Sequence, residues 1–233
     1  AEIDDDRGWL QSPAFSDQIL AGLIVVDHLP PKIIDRIRKL DVPTIWLDAN
    51  VWEPYNCIRR DEKQAGEVAA HYLIQQGATT IVWLGSPSSR HFSLPLRFQG
   101  VSHACRTNAI PCIEMKLDYA HHESVTRAWE DAITELMQHH PKPAIAAYDS
   151  YYAQRFITLA GFLGYRAGKD YHIVTCDGTQ MLHSIIPELP AVPFPRQDMG
   201  RLAAEKLLSI LPSHRASPPA GKFPSILIPA TMA

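Results

Sequence analysis

Residues 143–178 read PAIAAYDSYYAQRFITLAGFLGYRAGKDYHIVTCDG. The apolar run Ala144–Ala147 stops at Tyr148-Asp149, and so short a run between proline and polar residues suits a buried strand. Tyr152, Phe156, Leu159 and Leu163 then recur at helical spacing, with Gly164 where a C-terminal cap belongs. A second apolar run, His172–Cys176, closes on Asp177-Gly178. The segment is therefore a strand, a helix and a strand. In such a unit the strands are parallel and the crossover right-handed, so Asp149 and Asp177 lie at one carboxyl edge of a sheet. Ligands of open α/β sheets bind at that edge.

The same rhythm extends in both directions. Upstream, Ala21–Asp27 and Pro43–Asp48 read as strands around a short helix, Pro31–Leu40, and a weaker helical pattern covers Phe15–Leu20. An irregular stretch rich in Asn, Pro and Trp leads to Asp61, which caps a helix striped by Ala65, Val68, Ala69, Tyr72 and Leu73 and ended by Gly77. A strand at Thr79–Leu84, a Ser/Pro loop to Pro95, a helix at Leu96–Thr107, a strand at Pro111–Leu117 and a helix at Glu123–Met137 complete the upstream half. Downstream, a short helix is expected at Gln180–Ile186. Leu189–Pro195 holds too much proline for a central strand and reads as a crossing. An amphipathic helix at Asp198–Leu211, a polar turn at 212–222 and a strand at Phe223–Ile228 follow. Alternating βα units in two blocks predict an α/β protein with two parallel sheets.

Composition narrows the function classes. The 233 residues are 46% hydrophobic and 20% charged, enough for a sizeable core. The longest apolar runs, such as Ala21–Val26, fall far short of the about 20 residues of a membrane span. The acidic start, Ala1–Asp6, is unlike an export signal. Cys57, Cys105, Cys112 and Cys176 form no C-x-x-C pair, which favours a reducing, cytoplasmic setting over a disulfide framework or zinc site. A net charge of −3 leaves no electrostatic footprint for nucleic acid, and Arg36–Lys39 and Arg59-Arg60 read as solvated helix or loop faces. His121-His122 and His139-His140 read as surface imidazoles without matching ligands. No dinucleotide, P-loop, nucleophile-elbow or zincin motif occurs, so neither an enzyme nor a cofactor is expected.

The landmarks resemble, in order, the effector-binding domain of the LacI/GalR family of transcriptional regulators, which has the type I periplasmic binding protein fold. The motifs are Val42-Pro43-x-x-x-Leu47-Asp48, the Asp61 helix with Tyr72-Leu73-Ile74 and Gly77, and Arg97-x-x-Gly100. To these are added Pro143-Ala144-Ile145 ending at Asp149, Val174-x-x-Asp177, and Met199-Gly200-Arg201-Leu202-Ala203-Ala204-x-x-Leu207-Leu208. The resemblance covers about Gly22 to the end. It implies two Rossmann-like subdomains, residues 1–86 plus 195–221 and 87–194 plus 222–233, joined by three crossings near Gly85–Pro87, Val192–Pro195 and Gly221. It implies a homodimer that holds a small molecule, a sugar or related metabolite, in the inter-subdomain cleft. Operator DNA would be met only through a helix-turn-helix headpiece, which in the family lies upstream of residue 1 together with a first strand-helix-strand. A solute-binding protein serving a transporter is the rival reading; Met199–Ala204 favours the regulator.

By position in the family, Asp177 would accept hydrogen bonds from ligand hydroxyls and Arg97 would donate to them. The plainer roles are a helix cap after Gly178 and a surface ion pair. Asp149 reads first as the cap of the helix starting at Ser150 and only then as a ligand contact. Tyr148 and Phe194 stand where relatives often carry amides, and Ala49 where an Arg often follows the aspartate matched by Asp48. Phe92, in the loop before its helix, is a candidate stacking face. Exchanging amides for rings predicts a ligand flatter or less hydroxylated than a simple sugar.

Overall fold

The computed structural model describes residues 20–40, 42–87, 90–118, 123–178, 189–211 and 222–232. The expected helices at Phe15–Leu20 and Gln180–Ile186 and most of the turn from Pro212 lie outside the described residues. The chain forms two compact units. One comprises residues 1–60 and 195–228, the other residues 61–194 and 229–233.

In the first unit, β1 (Leu23–Val26), α1 (Pro31–Arg38), β2 (Thr44–Leu47), β3 (Cys57–Arg60), α6 (Arg196–Ile210) and β9 (Ile226–Ile228) build a parallel sheet in the order β1-β2-β3-β9. Pro31 opens α1, where its missing N–H is no loss, and Ile33, Ile34 and Ile37 turn inward onto Val25, Trp46 and Cys57. The arginines of the Arg36–Lys39 cluster stay exposed. Helix α6 packs against β1, β2 and β3; a Cβ at Gly22 would lie 2.8 Å from Leu207 Cδ1.

The second unit holds the segment from which the reading began. It runs α2 (Glu62–Gln75), β4 (Ile81–Gly85), α3 (Ser93–Thr107), β5 (Cys112–Lys116), α4 (Glu123–His139), β6 (Ala144–Ala147), α5 (Ser150–Phe162), β7 (His172–Gly178) and β8 (Ala191–Pro193). Its sheet order is β5-β4-β6-β7-β8, all parallel. Asp61 caps α2 through Gln64 N–H at 2.8 Å, and Gly77 and Gly164 end α2 and α5 with φ of 85° and 91°. Trp129, Phe156, Tyr171 and the strand residues Ile81, Leu84 and Ile145 form a fully buried core.

Six expectations are corrected. The irregular stretch after Asp48 contains β3, which four residues of mixed polarity conceal; Arg59-Arg60 is strand rather than loop face, and Arg60 is completely buried. The first crossing falls between Arg60 and Asp61 instead of Gly85–Pro87, because β4 pairs with both β5 and β6 and α2 packs on α3. The last falls after Ile228, since β9 pairs with β3. Helix α3 starts at Ser93 with Pro95 inside its first turn, where proline fits. The Ala191–Pro193 segment is a strand, tolerated because it occupies the sheet edge. Leu163 lies outside the core face of α5, at its C-cap and 37% exposed.

Candidate functional site

Strand ends set the site. Strands β4 to β8 run parallel, so their carboxyl ends gather Ser86, Asp118, Tyr148, Asp149, Asp177 and Phe194 along one edge of the second unit's sheet. Ser150 Oγ donates to the Asp177 carbonyl, tying the start of α5 to the end of β7. Asp149 Oδ1 accepts from the amides of Tyr151 and Tyr152, each at 3.0 Å, and so caps α5.

Arg97 reaches this edge from α3. Its path depends on two glycines: a Cβ on Gly66 would sit 2.0 Å from the Arg97 carbonyl oxygen, and one on Gly100 1.9 Å from that of Lys63. Helices α2 and α3 thus touch backbone to backbone, which brings Glu62 of α2 against Arg97. The pair is buried, Arg97 being 4% and Glu62 1% exposed. Nε donates to the Glu62 carboxylate, Nη1 donates to the Tyr148 carbonyl at 2.8 Å, and the guanidinium carbon lies 5.0 Å from the centre of the Tyr148 ring. Burial alone would pull the Arg97 pKa down, but the carboxylates of Glu62 and Asp177 outweigh it and hold the cation above its ordinary range. The surface ion pair considered for Arg97 is instead an interior one.

Tyr148 is fixed on every side. Its ring meets Trp83 and Tyr152 edge to face, with centroids 6.3 Å away in each case. Its hydroxyl lies 2.9 Å from Ser93 Oγ, which lies 2.7 Å from His91 Nδ1. The Ser93 amide, which can only donate, also points at Nδ1, at 3.3 Å. Tyr148, Ser93 and His91 thus form one line of side-chain hydrogen bonds whose donor directions follow the imidazole tautomer. The His91 and Phe92 rings stack with centroids 4.5 Å apart at the start of α3.

Burial pushes the Asp149 pKa up and Asp177 adds to it; the Tyr152 and Tyr151 amides and Arg97 pull it back without cancelling the rise. Burial also raises the Tyr152 hydroxyl, with Asp149 and Asp118 acting in the same sense.

Of the residues singled out in the sequence, Arg97, Tyr148, Asp149 and Asp177 come together, and Phe92 and Phe194 flank the same edge. Asp48 belongs to the first unit, where it follows β2 with φ of 49° and its amide donates to Ile58. The cap role considered for Asp177 concerns residues outside the described set. Sequence reasoning missed Glu62, Ser93 and His91, as well as Asp118. Among the described residues, no group of three or more His, Cys, Asp or Glu could hold a metal ion, and no helix is long and apolar enough to cross a membrane.

Comparison with known proteins agrees with this architecture. The periplasmic binding protein-like domain model matches residues 70–229. The ribose operon repressor of Halalkalibacterium halodurans is 25% identical over 210 residues, which make up 89% of this chain; the chain spans 60% of that repressor's length. A LacI family transcriptional regulator from Enterococcus faecium, solved with bound ribose, superposes with a TM-score of 0.74 at 18% identity, over 94% of this chain and 79% of the other. The lac repressor dimer bound to operator and the anti-inducer ONPF gives 0.72 at 21% identity, over 94% and 74%. The chain belongs to the periplasmic binding protein-like domain family. Within it, this is a LacI-family effector-binding domain.

Proposed function

We propose that this domain senses a small-molecule effector and passes its occupancy to operator DNA through the regulator to which it belongs, in the cytoplasm, as a repressor without catalysis. The observation that carries the reading is the convergence of Tyr148, Asp149 and Asp177 with Arg97 at the carboxyl edge of the second unit's sheet, where open α/β sheets bind ligands. Phe92 and Phe194 complete the contact set on that edge, and Asp48 holds the equivalent strand-end position in the first unit. The effector acts by population shift: it favours the conformer it binds better and so alters DNA affinity. Ribose, bound by one structural relative and named in the operon of another, is the first compound to test, followed by flatter metabolites that suit Tyr148 and Phe194.

Thermal unfolding against such a panel tests the reading. A ligand at 100 times its Kd adds about 2.7 kcal/mol, which for a chain of this size raises Tm by roughly 5–10 °C. The same compound should change operator binding by the intact protein at least about tenfold, a coupling of about 1.4 kcal/mol. A compound that stabilises the domain yet leaves operator binding unchanged supports the solute-binding alternative.

A further inference from the structure

Two of the four cysteines meet in the second unit. Cys105 lies in the last turn of α3, Cys112 opens β5, and a closed turn holds the two ends together. The Asn108 amide donates to the Ala104 carbonyl at 3.2 Å, that of Ala109 to Arg106 at 3.2 Å, and that of Ile110 to the Cys105 carbonyl itself at 2.9 Å. Asn108 Nδ2 adds a second bond to Ala104, at 2.8 Å. The Pro111 carbonyl then accepts from the Ile81 amide at 3.0 Å, which sets Cys112 beside Ile81 in the sheet. Both side chains pack on one hydrophobic core, and their thiols are hydrogen-bonded to each other. Cys105 is 1% exposed and Cys112 half-buried. Cys57 and Cys176 are completely buried in β3 and β7.

We propose that Cys105 and Cys112 are a redox-modification site, which a hydroperoxide closes into a reversible disulfide that staples the end of α3 to the start of β5. Cys112 begins its strand, so the site lies at the edge of the sheet opposite Tyr148 and Asp177 and is distinct from the effector edge. A thiolate, not a thiol, attacks a peroxide. The hydrogen bond from Cys112 pulls the Cys105 pKa down against the upward push of burial; the same bond, burial and the charges of Cys105 and Glu114 hold Cys112 up. The pair therefore gives up one proton and shares the other. Transfer of the shared proton across the bond puts the thiolate on Cys112, the sulfur that a small oxidant reaches from solvent. Its lone pair takes the distal peroxide oxygen and the O–O bond breaks. The oxygen that departs recovers the proton the pair had lost, leaving as an alcohol or water, and Cys112 becomes a sulfenic acid. The Cys105 sulfur then attacks Cys112, the S–O bond breaks, and the hydroxide released takes the Cys105 proton as water. Two thiols and one hydroperoxide give one disulfide, one water and one alcohol or second water, with two electrons passing from the sulfurs to the O–O bond. Sulfurs already in contact need only close to the bond length of about 2 Å. A thiol reductant reverses the step by exchange, so in a reducing cytoplasm the pair rests as two thiols.

Peptide mapping of the purified protein decides. The reduced protein is treated with a molar excess of hydrogen peroxide, blocked with N-ethylmaleimide in denaturant and digested with trypsin. Cleavage after Arg97, Arg106 and Lys116 places the two cysteines on separate peptides, 98–106 and 107–116. The expected result is that these peptides are recovered joined, that free thiols fall from four per chain to two, and that dithiothreitol restores all four. In Cys105→Ala, Cys112 has no partner and should take up oxygen as a sulfenic or sulfinic acid. In Cys112→Ala, Cys105 should remain a thiol, because its burial keeps peroxide away. Should either variant fail to fold, the map of the parent protein decides alone. Four thiols surviving the peroxide, oxygen on Cys112 of the parent with Cys105 still a thiol, or a bridge to Cys57, Cys176 or a second chain overturns the proposal. Each of these outcomes leaves the effector reading standing, since no residue of that edge takes part.

Discussion

Asp149 carries two opposed demands in one carboxylate. Its Oδ1 satisfies two amides at the start of α5, while burial and Asp177 hold its pKa above the ordinary value of 3.8. A raised carboxyl pKa means that the folded state prefers the protonated form, so its contribution to stability is full below the unfolded pKa and is lost as pH rises through the folded one. Asp149→Asn, an equally good cap without the charge, should be more stable than the parent at pH 7, with the gain vanishing below about pH 3.8. Asp149→Ala should lie about 1 kcal/mol below Asp149→Asn at pH 7, because the cap is gone. Urea unfolding of the three proteins from pH 3 to 8 checks both, and a gain that grows on acidification would refute the assignment. The cap was legible because an N-cap and its amides lie within three residues. Glu62 was not, since the arginine it neutralises is 35 positions away and nothing local to either residue marks the other.

At the scale of elements, α2 and α3 are joined by the absence of side chains. Gly66 and Gly100 let the two backbones meet, and the Glu62–Arg97 pair forms one turn from that contact. Gly66→Ala and Gly100→Ala push a Cβ into backbone carbonyls that cannot rotate away, so each should cost about 3 kcal/mol or more, at the upper end of overpacking. Chemical denaturation measures it; a loss under about 1 kcal/mol for either variant would show that the helices can separate freely. Gly161→Ala, whose Cβ would meet nothing within 4 Å, is the control and should be neutral or slightly stabilising. The sequence showed Arg97-x-x-Gly100 as a pattern, and the structure supplies its cause: the glycine sets the helix distance at which the arginine is useful. Pro95 and the Ala191–Pro193 strand were misread from the same kind of evidence. Proline forbids only helix interiors and central strands, and these prolines sit in a first turn and on a sheet edge.

For the whole molecule, the expectation is a homodimer without intrinsic DNA affinity. Sedimentation at micromolar concentration should give a dimer, and a strictly monomeric protein would favour the solute-binding reading. These 233 residues carry a net charge of −3, and Arg60 of the two basic clusters is fully buried and cannot meet a phosphate, so the balance of charge disfavours DNA. A mobility-shift assay with the 233-residue chain should show no salt-sensitive operator complex; tight binding would contradict this. The sequence by itself determined the alternation of strand and helix, the caps at Asp61 and Asp149 and the gathering of strand-end residues on one edge, since periodicity, capping and crossover handedness act within one βαβ unit. Only the tertiary structure decided which sheet β4 joins, where the chain passes from one unit to the other, and that Arg97 faces Glu62 and Tyr148 instead of solvent. Strand neighbours and buried ion pairs are contacts between distant segments, fixed by the joint packing of all the elements rather than by any stretch read alone.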